Sequence, residues 1–215
     1  MDRSKAEFIR ANTAIMAPPH VPEIRLHLAD EAHDLWHRTE EELQEIGLEP
    51  PFWAFAWAGG QGLARYVLDH PDMVRGKRVL DFATGSGLVA VAAAKAGAAR
   101  VTANDIDPFC KTAVALNAEV NGVAIGWDGR DLVGDMTLDA EIVLAGDVFF
   151  DRAMSAAVAP WFSALANRGV IVLVGDPGRS YLPREKLAPL ASYEVPVTRA
   201  LEDSEVKKTS VWRFA

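Results

Sequence analysis

From residue 77 onward, short apolar runs alternate with longer amphipathic stretches. The runs predict strands at 77–82, 99–105, 123–127, 141–147 and 169–175, and the amphipathic stretches predict helices at 87–96, 108–120, 152–167 and 183–190. This alternation implies an α/β fold, with parallel strands covered by helices on both faces. The ending "YEVPVTRALEDSEVKKTSVWRFA" breaks the pattern: two β runs flank an acidic turn, which predicts an antiparallel hairpin.

Ahead of residue 77 the pattern is less regular. Residues 1–19 predict a short amphipathic helix ending at Pro18-Pro19, and "PEIRLHL" alternates as a strand would at 22–28. "DEAHDLWHRTEEELQEIG" reads as an acidic helix capped by Asp30 and stopped at Gly47. An aromatic lead-in, "PFWAFAW", then precedes a glycine turn and a helix from about Gln61 to Leu68. Pro50-Pro51 divides an extension of residues 1–50 from a main domain of residues 51–215.

Composition narrows the functional classes. A net charge of −8, with the cations in small separated groups, argues against nucleic acid as a partner. It favours a cationic partner such as a lysine-bearing protein segment. The chain has one cysteine, Cys110, which excludes an intrachain disulfide and any cysteine-built metal centre. No apolar run suits a membrane span and the first twenty residues resemble no targeting peptide, so a cytoplasmic, membrane-free monomer is the expectation. His33 and His37 have helical zinc-pair spacing but no evident third ligand, and no metal site is assigned.

The chemistry centres on "VLDFATGSGLVA", residues 79–90. Gly85-x-Gly87-x-x-Ala90, with Asp105 twenty residues beyond Gly85, satisfies the pattern of a dinucleotide loop. Asp81 argues against that reading, because a carboxylate beside a pyrophosphate is repulsive in a partly desolvated site. S-adenosylmethionine reverses the sign: its tail carries an ammonium and a sulfonium, which a strand-end carboxylate attracts. The loop and the following "VTANDIDPFCKTAVALNAEVNG" resemble the class I methyltransferases, which have a Rossmann-like fold with a seven-stranded sheet. The resemblance implies that Asp105 binds the ribose hydroxyls and Ile106 covers the adenine, with Trp57 also on the cofactor side; "WDGRDL" offers Asp128 or Asp131 for the adenine amino group, and position favours Asp131. Ala83 replaces the usual first glycine of the loop, which predicts an αR or β backbone there. Asp107 is expected to cap the helix that Pro108 begins.

The fourth strand ends in "GDVFFD", where Asp147 should face the ligand crevice. Asp147-Val-Phe-Phe150 is similar to the D-x-x-Y pattern of small protein-lysine methyltransferases, with Phe150 in place of tyrosine. Together, "PEIRLHL", "PFWAFAWAGGQGLARYVLD", "ANDIDP", "GDVFFD" and "VGDPGR" resemble the lysine methyltransferases of the electron transfer flavoprotein β-subunit, over roughly residues 20–215. That resemblance implies a flavoprotein subunit as the protein substrate. A ribosomal protein is the nearest alternative substrate, and a non-catalytic dinucleotide-binding module is the alternative of another class. Asp147 and Phe150 are the catalytic candidates, and Phe149, Asp176 and Arg179 the substrate-binding ones. Burial of a lysine stem against Trp57, Phe149 and Phe150 would favour the neutral amine, which is scarce at pH 7 because free lysine has a pKa of about 10.4.

Overall fold

The central strands are buried on both faces, which explains why their sequences read as continuous apolar runs rather than alternating ones. They are β3 (Arg78–Phe82), β4 (Arg100–Asn104), β6 (Ile142–Gly146) and β7 (Ile171–Asp176). A computed structural model describes residues 2–29, 50–197 and 205–215. The expected acidic helix, with Asp30, His33 and His37, and most of the acidic turn of the C-terminal hairpin lie outside these residues.

Short β5 (Gly126–Asp128), then β8 (Leu187–Pro196) and β9 (Val206–Phe214), complete a seven-stranded sheet of order β5-β4-β3-β6-β7-β9-β8. β5, β4, β3, β6 and β7 run parallel to one another, while β9 is antiparallel to both β7 and β8. Strand order reverses between β3 and β6, which opens a crevice at their carboxyl ends. Helices α2 (Ala58–Asp69) and α3 (Leu88–Lys95) cover one face, where Leu63, Val67 and Val91 meet Leu144 and Leu173. Helix α5 (Arg152–Asn167) covers the other, packing Val158, Phe162 and Leu165 against Val143 and Val172. Helix α1 (Arg3–Asn12) rests on α4 (Pro108–Asn121), with Ile9, Trp53 and Leu116 in a third cluster. Each good cap is a sequence-local aspartate: Asp107 accepts from Phe109 N at 2.7 Å, and Asp151 from Met154 N at 2.8 Å.

Four boundaries differ from expectation. Residues 183–190 are not a helix but a short turn, Arg184–Lys186, leading into β8. Pro189 cannot donate within a helix, yet it sits easily on the sheet's edge, where the register shifts between Pro189 and Ala191. The first predicted helix ends at Asn12, and Ala14–Met16 instead form β1, paired antiparallel with β2 (Leu26–Leu28). That pairing is all that remains of the strand expected over 22–28. Helix α2 begins at Ala58, so the glycines expected to make a turn lie inside its first turns.

Those glycines are needed for close packing. A Cβ on Gly59 would collide with the Gly175 carbonyl oxygen and with Asp147 Oδ2. One on Gly146 would fall 2.8 Å from the Cα of Gly60. The amino end of α2 therefore lies directly on the carboxyl ends of β6 and β7, where the crevice opens.

Candidate functional site

Two non-glycine residues among those described have left-handed backbone, and both lie where central strands end: Ala83 after β3 (φ 52°) and Asp147 after β6 (φ 56°). Such conformations cost about 1–3 kcal/mol each and persist where surrounding contacts enforce them. The expectation of αR or β backbone for Ala83 is thus corrected. The turn is held on both sides of it: Asp81 Oδ2 accepts from Thr84 Oγ1 at 2.5 Å, and Thr84 N donates to the Asn104 carbonyl at 2.9 Å. Alanine takes the geometry that a glycine would adopt freely.

The loop after β3 is tied from below and from the side. Asp81 also accepts from Ala90 N (2.9 Å) in the first turn of α3, so one carboxylate spans the whole loop. Asp105 Oδ2 accepts from Gly85 N at 3.0 Å, and Asp105 Oδ1 from Asp107 N at 3.1 Å. Asn117 of α4 donates to the Ser86 carbonyl and accepts from His27 N, both at 2.7 Å, which joins the N-terminal segment to the loop. This brace was not foreseen from sequence. Asp81 is buried, and burial raises its pKa to about 7 against the lowering pull of Thr84 and Ala90. Nearby Asp105 raises it further, and no basic side chain acts on it among the described residues. The approach of a cation favours ionisation of such a carboxylate. A cation-bearing cofactor fits that preference and a pyrophosphate does not.

The remaining cofactor candidates surround this loop. Ile106 is 74% exposed beside Asp105. Asp131 is exposed and accepts from Val133 N at 3.0 Å, while Asp128 is paired with Arg130 at 2.7 Å. Trp57 is half-buried, and its indole N–H donates to the Phe52 carbonyl at 3.1 Å. The same carbonyl lies against the position of a Gly85 Cβ, so the aromatic lead-in overhangs the glycine loop.

On the neighbouring strand, Phe82 is in register with Ala145, and Asp147 lies two residues further on. Its Oδ2 accepts from Gly60 N (3.0 Å) at the amino end of α2, and its Oδ1 accepts from Arg179 Nη2 (2.8 Å). Burial raises its pKa to about 6, against the lowering effect of Arg179. The structure thus brings together Asp147 and Arg179, thirty-two residues apart in sequence. Asp176 is buried, and its Oδ1 accepts from Gly178 N and Arg179 N at 2.6 and 2.7 Å. This oxygen shapes the loop, while Oδ2 is buried without a hydrogen-bond partner.

Burial runs against the expected substrate contact of Phe149. It is fully buried near Phe214, whereas Phe150 is 48% exposed. Phe52, unassigned from sequence, is 46% exposed, with its ring 5.7 Å from Phe150 and 5.8 Å from Trp57. Trp53 stacks on Phe109 in the core. Burial pushes the Cys110 thiol well above its ordinary pKa, as suits a packing residue. No cluster able to hold a metal occurs among the described residues.

Comparison with known proteins places these features in context. Residues 64–146 match the family model of ribosomal protein L11 methyltransferase (PrmA). The electron transfer flavoprotein beta subunit lysine methyltransferase of Xenopus laevis is 38% identical over 213 residues, covering 96% of this chain and 85% of its own. The Danio rerio protein of the same name is 35% identical over 214 residues, covering 96% and 82%. Among solved structures, magnesium protoporphyrin IX methyltransferase of Synechocystis PCC 6803, with bound S-adenosylmethionine, superposes with a TM-score of 0.53 at 16% identity. That match covers 73% of this chain and 80% of the other, and it shows a shared class I methyltransferase fold.

Proposed function

The chain belongs to the family of electron transfer flavoprotein beta subunit lysine methyltransferases, and from that premise we propose that it methylates lysine ε-amino groups of that flavoprotein subunit with S-adenosylmethionine as donor. The observation that carries the reading is Asp147. It is a buried carboxylate held by the amino end of α2, one strand over from the glycine loop, with half-exposed Phe150 three residues on and the half-exposed ring of Phe52 against Phe150.

The donor supplies an electrophilic methyl group when bound. Asp81 attracts its cationic tail, while Asp105, Ile106 and Asp131 serve the adenosine end. Transfer is an in-line displacement, so holding the amine in line is most of the task. Asp147 draws in the lysine ammonium. Because a nearby anion favours the charged amine, Asp147 is not a simple activating base. Its contribution is to stabilise the positive charge that appears on nitrogen as the methyl arrives. Phe52, Trp57 and Phe150 exclude water from the lysine stem, which favours the neutral nucleophile. Phe150 has no hydroxyl, so any hydrogen bond a tyrosine would make there is absent from this mechanism.

The target is identified by incubating the protein with a lysate of its source and tritiated S-adenosylmethionine, then sequencing the labelled band by mass spectrometry. Label on lysines of the flavoprotein β-subunit is expected. Label on ribosomal protein L11 would keep the chemistry and replace the substrate, a reading favoured by the match at residues 64–146.

A further inference from the structure

Asp147 has a partner whose geometry is more specific than a surface ion pair. The guanidinium of Arg179 places both Nε (3.2 Å) and Nη2 (2.8 Å) on Asp147 Oδ1. Asp147 and Arg179 side chains are only 10% and 22% exposed, so water screens the contact weakly. The arginine is aimed by its own loop. Gly178 turns the chain with φ 92°, and Asp176 Oδ1 takes the backbone N–H groups of Gly178 and Arg179. On the opposite side, Gly60 N fixes Asp147 Oδ2. The carboxylate is therefore oriented by donors on both oxygens, from two different elements.

The charged groups of this cluster come from three strand-end and loop positions. Among the described residues, Arg179 and Asp176 are the charged groups acting on Asp147, with the Gly60 N–H from α2. Asp176 Oδ2 is buried without a hydrogen-bond partner. Arg184 acts in turn on Asp176, so with both acids ionised two carboxylates face two guanidiniums.

We propose that Arg179 is a positioning residue of the methyl transfer, one that keeps Asp147 ionised and correctly turned rather than contacting the substrate protein. The inference rests on the lysine-methyltransferase reading for its kinetic test. If the arginine were lost, burial and the Asp176 charge would be opposed by the Gly60 N–H alone, and ionisation would require a higher pH.

The test is the pH profile of kcat/KM for wild type, Arg179→Gln and Arg179→Lys acting on purified flavoprotein β-subunit. Both the lysine and Asp147 must lose a proton, so log kcat/KM falls twice as steeply below the carboxylate's pKa as above it. The wild-type change of slope is expected near pH 6. In Arg179→Gln it should move upward by about 1 pH unit or more, and Arg179→Lys should restore it close to wild type. A uniform loss of rate with the change of slope unmoved would overturn the proposal, and so would an unaltered profile. Arg179→Met, which keeps the apolar stem, replaces the glutamine variant if that one does not fold. If wild type does not methylate this substrate, the functional reading fails separately. Titration of the Asp147 carboxyl by carbon-13 NMR, assigned with Asp147→Asn, then still decides whether Arg179 lowers its pKa.

Discussion

Replacing Asp147 with Asn is expected to lower kcat by about 10²–10³-fold while leaving S-adenosylmethionine affinity within a few-fold of wild type. Asparagine retains an oxygen for the Gly60 N–H, so the contact that seats α2 on the strand ends survives. What disappears is the negative charge. Positive charge moves from sulfur to nitrogen during transfer, and in a poorly solvated site a fixed anion beside the nitrogen follows that movement without reorganising. Arg179 loses the charge opposite it but is partly exposed, so the fold should tolerate the change. Single-turnover transfer, with cofactor affinity and thermal unfolding measured on the same sample, separates the effects. Turnover within a few-fold of wild type would remove Asp147 from the mechanism.

The second large effect concerns Asp81. Its pKa is raised to about 7, so ionising it in the folded protein opposes burial. The sign follows directly: a raised acid contributes stability that is present below its ordinary pKa and lost as pH rises through 7. The loss is on the order of 4 kcal/mol when complete. A cofactor with a cationic tail restores favourable ionisation, so its binding is linked to proton release. Affinity should therefore fall as pH is lowered below 7, by up to about tenfold per unit. Asp81→Asn should show weak binding with a flatter pH dependence. It should also unfold at a higher temperature than wild type at pH 8 and at nearly the same temperature near pH 4. Calorimetric titration and thermal unfolding across that range check both halves. Undiminished affinity in the variant at pH 8 would refute the role of Asp81 at the cofactor.

Much of this was readable in the chain because the relevant interactions are local. Asp107 before Pro108 caps α4 as its position demands, and the apolar runs of β3, β6 and β7 became the buried strands they resemble. Asp81 and Asp105 lie at the ends of adjacent strands, so the sheet's register carries them to one loop. The features that were missed depend on tertiary contact. Glycine at 59 and 60 suggests a turn until β6 and β7 lie against it, and the structure uses the missing side chains as packing space. The order of Phe149 and Phe150 could not be read from strand alternation, because the left-handed backbone at Asp147 resets the direction of the residues that follow. Phe149 turned inward and Phe150 outward. The Asp147–Arg179 pair joins two strand-end loops, and no sequence spacing signals it. Residues 183–190 were misread because Pro189 ends a helix and also suits an edge strand.

Methyl transfer to lysine at the Asp147 crevice is tested most directly by the intact mass of purified flavoprotein β-subunit after incubation with S-adenosylmethionine and either wild-type enzyme or Asp147→Asn. Mass should increase by whole methyl groups, located on lysine by fragmentation, with wild type and not with the variant. No added methyl with wild type, or equal addition with both proteins, would contradict it.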